Sequence, residues 1–431
     1  MLPLVAIGVV GAIVRVAYVL AVGQDVELGL TDASFYTVAA DLLARGEGYV
    51  DIWRSFEFGE GELLRTAHHP PGWPAFLAPF SWLGADGELA HRLVGACLGG
   101  VVVVLVGLLA RRVAGARAGL VAAALAAIHP TLVAADGSLM AETLAGALGL
   151  VVLLLGFRVA SRAGLGVALA LGLAIGAAAL VRGESLALLV LVGLPVAVAV
   201  VRGREVDVAR GLRVLGVAAI GVVAVVGPWA ARNQAVLGEW IPISTNESTV
   251  LAGANCPPAY EGPGLGGWDL SCVQPTAEGE VADAARWREE GIDHLRANAD
   301  RLPAVVPVRV LRTYGLWDPL GADAEGRHEG TQRAGNLVWL ALLLPGGIAG
   351  AVVLARRRAR LDLALLLAPV AAATAVSVLG FGMLRFRHPI ELSAIVLTAI
   401  AVVALLDRRR GGDDAVDCAP LTPCPHSAPG R

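Results

Sequence analysis

Long apolar runs separated by short arginine-bearing connections dominate the chain. The segments 2–22, 88–110, 117–135, 139–157, 164–181, 185–201, 212–230, 334–355, 361–380 and 388–406 each approach the roughly 20 apolar residues that carry a helix across a bilayer core. This pattern predicts about ten membrane-spanning helices. Arginines fall on every second connection: Arg111, Arg112 and Arg117; Arg158 and Arg162; Arg202, Arg204, Arg210 and Arg213; Arg356, Arg357, Arg358 and Arg360. Arg408, Arg409 and Arg410 follow the last run. Positive charge concentrates on the cytoplasmic side of membrane proteins. The alternation therefore predicts a multi-pass cell-membrane protein with both termini in the cytoplasm.

Two long segments fall on the opposite side. The first, 23–87, is acidic, from Asp25 and Glu27 through Glu60 and Glu62 to Asp86. The second, 231–333, is long enough for a small packed subdomain, and its end reads as two helices broken at Pro303. The expected organisation is a transmembrane catalytic half, 1–230, containing the first outer loop, 23–87. It continues with the outer subdomain, 231–333, and the C-terminal transmembrane helices, 334–407. A disordered cytoplasmic tail, 408–431, ends it, marked from Gly411 by sequence such as APLTPCPHSAPGR. No internal repeat is visible.

Composition agrees with an all-α integral membrane protein. Of 431 residues, 56% are hydrophobic and 16% charged, with a mean hydropathy of +0.68. The net charge of -3 argues against a nucleic-acid partner. Every basic residue is arginine, which reads as the codon bias of a GC-rich genome. The first run has no basic flank and carries Arg15 at its centre, so it is expected to be a retained helix and not a cleaved signal. Cys256 and Cys272 share the second outer loop and can pair in an oxidising exterior. Cys97 reads as helix packing, and Cys418 and Cys424 as reduced thiols of the tail. No cysteine spacing matches a structural zinc site.

Transporters tend to place ionisable groups at the bilayer midplane. Here Arg15 is the one clear midplane charge; an arginine there costs roughly 2.5–3.5 kcal/mol and needs a partner. The other polar groups, Arg92, Asp136, Glu142, Arg182, Glu184, Arg385, Arg387 and His388, collect at the outer ends of helices. That distribution suits chemistry at the outer face, on a substrate with a polar head and a tail in lipid. A transporter or flippase of lipid-linked glycans and an outer-face polysaccharide ligase are the alternative readings.

Several stretches then resemble one superfamily. TDASFYTVAADLLARGEGY, HHPPGWPAFLAPFSWLG, AHRLVGACLGG and HPTLVAADGSLMAETL look like the first half of a C-type, lipid-linked sugar glycosyltransferase. The branch is that of the protein O-mannosyltransferases and the lipid A aminoarabinose transferase. GPWAARNQAVLGEWIPISTN and GMLRFRHPIELSAIVLTA look like the second half of its bacterial members. The resemblance runs from about residue 10 to 406, carried by the order and spacing of the stretches. Protein mannosyltransferases usually show Asp-Glu where this chain has Asp32-Ala33. The resemblance therefore implies the branch without implying protein mannosylation. It implies a polyprenyl-phosphate sugar donor, an outer-face acceptor and an inverting transfer without a nucleotide.

By that resemblance Asp32 is the catalytic carboxylate. The local pattern offers a second reading, in which Asp32 caps the helix announced by Phe35, Val38, Ala39, Leu42 and Leu43. Glu142 is the family's second acid, placed to orient the acceptor or hold a divalent metal ion, and it also suits a helix N-terminus. Arg92, Arg385 and Arg387 are candidate phosphate ligands, because a guanidinium grips phosphate bidentately; simple interfacial snorkelling is the alternative. Arg182 is a further candidate substrate ligand; it and Glu184 flank a tight turn, and the alternative is that they merely pair with each other. His68 and His69 lie in HHPPGWP, where adjacent prolines disfavour both helix and strand. That stiff loop is expected to form a wall of the site, with either histidine donating to phosphate or binding a metal beside an acid.

Overall fold

The computed structural model describes residues 1–26, 29, 31–162, 164–202, 207–320 and 327–416. Glu27, Arg204, Cys418, Cys424 and most of the tail lie outside the described residues. Among the described residues there is no strand; a single antiparallel bridge joins Val50 to Arg65. Among the described residues, eight helices are long and apolar enough to cross a membrane: Leu2–Ala21, Gly87–Ile128, Glu142–Arg162, Gly183–Arg202, Val208–Leu237, Glu329–Arg356, Arg360–Leu379 and Leu384–Arg408. Leu165–Val181 is a shorter apolar helix.

The expected runs fall on these helices, with changed boundaries. The runs 88–110 and 117–135 share Gly87–Ile128, which is interrupted at Ala114 and Gly115, the latter at φ 85°. The second run stops early, because His129 precedes Pro130 and takes an extended conformation. Pro130 then opens a separate short helix, Pro130–Asp136. The HHPPGWP stretch is only partly a loop. Its Gly72 begins the helix Gly72–Trp82, and Pro74 sits in the first turn, where a missing N–H loses no helical bond. The last helix runs on to Val416.

Leu2–Ala21 packs along Gly87–Ile128, Val208–Leu237 along Leu165–Val181, and Leu344–Arg356 along the last helix, which also touches Gly87–Ile128. Leu109, Val152, Leu171 and Ile395 are fully buried in the core these contacts create. Cys97 faces outward and does not pack inside.

Arg15 is fully buried and has found its partner. Its Nε donates to Asp136 Oδ2 at 2.5 Å, and its Nη1 and Nη2 donate to the carbonyls of Gly11, Ala127 and Ala126. Thr143 Oγ1 donates to the other Asp136 oxygen at 2.6 Å. Gly99 makes room for this pair: a Cβ there would lie 2.3 Å from Asp136 Oδ2 and 2.5 Å from Arg15 Nε.

The segment between Val208–Leu237 and Glu329–Arg356 forms a helical cap. Asn246–Ala254 packs on Glu280–Ala297, and Pro303 lies in the first turn of Leu302–Thr313. A disulfide joins Cys256 to Cys272. Two buried carboxylates fasten this cap to the first long loop. Asp283 accepts from Arg54 at 2.6 Å. Glu280 accepts from Thr66 Oγ1 at 2.6 Å, Ala67 N at 3.1 Å and Thr245 Oγ1 at 2.9 Å.

Candidate active site

Asp32 is the first residue of the helix Asp32–Ala44, and Thr31 is its cap. Ser34 Oγ accepts from the Thr31 N–H at 3.2 Å, the reciprocal bond of a capping box. The capping reading of Asp32 is thereby corrected, because its neighbour does that work and leaves the carboxylate to face the protein. Asp32 Oδ2 accepts from Arg385 Nη1 at 3.0 Å, and Oδ1 lies 3.7 Å from His69 Nε2.

Arg385 reaches towards a second acid, with its Nε 3.9 Å from Glu142 Oε1. Glu142 accepts from Arg182 Nη1 at 3.0 Å. Arg182 also donates through Nε to Glu184 at 2.5 Å, the pair expected from the tight turn. Phe386 lies under both cations, 5.4 Å from the Arg182 guanidinium and 5.6 Å from that of Arg385. The result is a chain of alternating charges, Asp32–Arg385–Glu142–Arg182–Glu184, assembled from four separated stretches of sequence.

His69 is buried, its ring packed on Phe35 at 4.7 Å and Tyr36 at 5.4 Å. Tyr49 OH donates to the His69 carbonyl at 3.0 Å. His68 is half-buried, edge-on to the His69 ring, and its N–H donates to Thr66 Oγ1 at 2.8 Å. The Glu280 clamp thus holds the two residues immediately before the histidine pair.

Protonation follows from these contacts. Burial pushes the Asp32 carboxyl up, but the Arg385 guanidinium and then His69 outweigh it and hold it at about 2, below the ordinary 3.8. Burial drives His69 down to about 3 against the opposing pull of Asp32. At neutral pH the pair is an ionised carboxylate beside a neutral imidazole.

The other expected site residues lie elsewhere. Arg92 is buried and donates to the carbonyls of Gly137 at 3.0 Å and Val26 at 2.9 Å, bracing the loop end of its helix. Arg387 is fully buried. Its Nε donates to Glu391 at 2.7 Å and its guanidinium lies over Trp339 at 4.9 Å. Asp136 serves Arg15.

Glu142, Arg182, Arg385 and His388 rim a cavity whose deeper wall is apolar, with Leu150, Leu153, Leu188, Ala373 and Leu392. The space within it, counted together with its open mouth, is about 750 Å³. A charged rim over a greasy shaft has the shape of an amphiphile's head and tail. Sequence reasoning missed Glu280 and Arg327, a buried arginine beside this rim. Glu280 reads locally as an ordinary helix N-terminal acid, and Arg327 sits in a polar stretch with no periodicity.

A divalent metal ion does not fit the residues present. Among the described residues no group of three His, Cys, Asp or Glu side chains converges. Asp32 and Glu142 already face guanidinium groups that would repel a cation.

A family model described as dolichyl-phosphate-mannose-protein mannosyltransferase matches residues 68–230. No curated protein matches the chain in sequence. Among solved structures, the chain is similar to the oligosaccharyltransferase AglB from Archaeoglobus fulgidus in complex with an inhibitory peptide and a dolichol-phosphate. That likeness has a TM-score of 0.57 at 14% identity, covering 98% of this chain and 52% of that one. The apo form of the Archaeoglobus fulgidus enzyme gives 0.56 at 16%, covering 96% and 52%. ArnT from Cupriavidus metallidurans bound to undecaprenyl phosphate gives 0.42 at 17%, covering 95% and 79%. The chain spans about half the length of the archaeal oligosaccharyltransferase it matches. The likeness over 98% of this chain gives it the helical membrane fold of the archaeal oligosaccharyltransferase, and the mannosyltransferase family model covers residues 68–230 within it.

Proposed function

We propose that this protein transfers a sugar from a polyprenyl-phosphate donor to an acceptor at the outer face of the cell membrane, with inversion. One observation carries the reading: an ionised, cation-held carboxylate stands beside the charged rim of an apolar shaft. A prenyl chain matches the shaft and a sugar phosphate matches the rim. The arginine-rich connections and both termini face the cytoplasm, and the two long segments face out. Residues 1–230 supply the catalytic carboxylate and 231–333 the cap that braces its loop.

The chemistry is a single displacement. The acceptor group gives its proton to Asp32 as its oxygen or nitrogen attacks the anomeric carbon from the face opposite the phosphate. The bond from that carbon to the phosphate oxygen breaks, and the electron pair leaves on the phosphate. Charge grows on the phosphate in the transition state, so cations there accelerate the step. A carboxylate held at about 2 is a weak base. Its contribution is therefore largest when the acceptor proton moves late, and Glu142 is placed to orient the acceptor. Neutral His69 stands beside the other oxygen of Asp32, at 3.7 Å.

The test is Asp32→Asn in sugar transfer from a synthetic polyprenyl-phosphate sugar. Removing a positioned proton acceptor should lower turnover roughly 10²–10⁴-fold while the protein still inserts and folds. Near-normal turnover would remove Asp32 from the reaction. Translocation of lipid-linked glycans across proteoliposomes without any transfer would favour a carrier instead. Comparing lipid-linked sugars and envelope glycans in a deletion strain by mass spectrometry identifies the sugar and acceptor.

A further inference from the structure

Arg385 reaches Asp32 from a short connection between two helices. Arg360–Leu379 ends, residues 380–383 follow without helical structure, and the turn Leu384–Arg387 then presents the arginine. The cap packs onto this connection through the loop 256–272, which the Cys256–Cys272 disulfide closes. The Gly382 N–H donates to the Gly266 carbonyl at 2.9 Å. Phe381 lies 6.3 Å from the Trp268 ring and 4.9 Å from that of Phe386. The Met383 N–H donates to Thr313 Oγ1 at 3.3 Å. Phe381, Gly382 and Met383 are thus each held by the cap.

Arg309 ties the same parts together from within. It is buried, and its Nη2 donates to the Ala254 carbonyl at 2.6 Å and to Asn255 Oδ1 at 3.1 Å, its Nη1 to the Val378 carbonyl at 3.4 Å. These carbonyls close the helices Asn246–Ala254 and Arg360–Leu379. Carbonyls at a helix C-terminus lack helical partners and favour a cation. One helix end leads straight into Cys256, the other into the connection before Arg385. A single guanidinium therefore fixes where the loop and the connection begin, and the bond between Gly266 and Gly382 joins them farther along. The joint leaves no room for a side chain. Gly266 has φ 75°, and a Cβ there would lie 2.9 Å from the Arg309 nitrogen; a Cβ on Gly382 would overlap the Arg309 carbonyl oxygen.

We propose that Arg309 and the disulfide-closed loop 256–272 are positioning elements for the transfer site, setting the connection 380–383 so that Arg385 lies against Asp32 and Phe386 under Arg182. None of Arg309, Gly266, Cys256 and Cys272 lines the cavity, so they act through the backbone that carries Arg385. An arginine side chain has many rotamers, and its accurate placement starts from a fixed backbone. A cross-linked loop has fewer alternatives to sample than an open one, which suits its tip to holding a backbone group of another segment. The consequence for turnover rests on the transferase reading; the consequence for the contact between Arg385 and Asp32 does not.

The experiment measures kcat/KM for transfer from a synthetic polyprenyl-phosphate sugar, across pH, with the full-length protein in detergent. It compares wild type, Gly382→Ala, Arg309→Met, Arg309→Lys and the double variant Cys256→Ser with Cys272→Ser, each with and without Arg385→Leu. Gly382→Ala should lower kcat/KM about a hundredfold, the loss typical of a misplacement near 1 Å. In the Arg385→Leu background the same change should cost at least about threefold less, because the group it misplaces is gone. Gly382→Ala should also make kcat/KM fall at the acid end of the profile, since Asp32 would lose its guanidinium and be left facing His68, His69 and Tyr36. Arg309→Lys should recover part of the Arg309→Met loss, because an ammonium can reach one helix end but has no fork to hold two. Losses that simply multiply with that of Arg385→Leu in every variant would make these residues structural and overturn the proposal, as would wild-type transfer by Gly382→Ala. If Gly382→Ala does not fold, the serine pair, which adds no clash, decides by the same comparison; a serine pair that also fails to fold overturns the proposal. The cycle is read a second time by thermal unfolding, which needs no transfer: the loss of melting temperature caused by Arg385→Leu should be smaller in each positioning variant than in wild type. Normal turnover of Asp32→Asn would overturn the transferase reading and leave that unfolding cycle to judge the positioning.

Discussion

Replacing Arg385 by leucine should bring an acid limb into the pH profile of sugar transfer. Asp32 is subject to opposing effects: burial pushes its carboxyl up, and the Arg385 guanidinium at 3.0 Å pulls it down more strongly, to about 2. With Arg385 gone, burial remains and its main opponent is lost, so the carboxyl should rise past the ordinary 3.8. The change between about 2 and 3.8 is at least about 2.5 kcal/mol in the preference for the ionised form. Wild-type Asp32 is ionised throughout the range from about pH 4 to about pH 8. In Arg385→Leu the ionised fraction should fall at the acid end of that range, and kcat/KM should fall with it. The assay is initial-rate transfer from a synthetic polyprenyl-phosphate sugar across that range. Arg385→Lys, which keeps a charge without the planar fork, should lie between the two. Identical acid limbs in wild type and Arg385→Leu would refute the reasoning. A lower rate without any movement of the profile would mean that Arg385 serves the substrate and does not tune Asp32. The same depressed carboxyl stabilises the fold above the ordinary 3.8, and that contribution is lost as pH falls towards about 2. The stability gap between wild type and Arg385→Leu should therefore narrow in acid.

Arg15→Leu or Asp136→Asn should each destabilise the bundle by roughly 3–5 kcal/mol, because each leaves a buried charge without its partner; the double replacement should recover much of that loss in thermal unfolding. Glu280→Ala frees Thr66, Ala67 and Thr245. It should lower kcat more than it raises KM, with partial rescue in Glu280→Gln, because the lost contacts position the loop before His69 and touch no substrate. An equal effect on both constants, with no rescue, would make Glu280 a structural residue only. Reporter fusions after Arg112, Arg162, Arg213 and Arg360 should report cytoplasm, and fusions near Glu60 and Glu280 the exterior; an external signal at Arg213 would overturn the proposed topology.

The apolar runs determined the all-helical architecture with several helices long enough to cross a membrane, because spanning length and the absence of hydrogen-bonding solvent in lipid are properties of a single segment. The sequence likewise required a partner for Arg15, since a midplane charge is costly wherever the chain folds, though only packing named Asp136, 121 residues away. Local signals placed the helix start at Asp32 within a residue but not the identity of its cap, because Thr31 and Asp32 are both good caps and only the backbone conformation chooses between them. The candidate site was legible as a set of polar residues at helix ends. Its membership was not. Arg92 and Arg387 looked equivalent to Arg385 in sequence, yet tertiary structure gave Arg92 two carbonyls and Arg387 a glutamate and left Arg385 facing Asp32. The contacts of Glu280 and the burial of Arg327 are likewise visible only in three dimensions. Hydrophobic burial is additive along a chain and can be read from it, whereas the partner of a charge depends on distances between segments far apart in sequence, which folding alone sets.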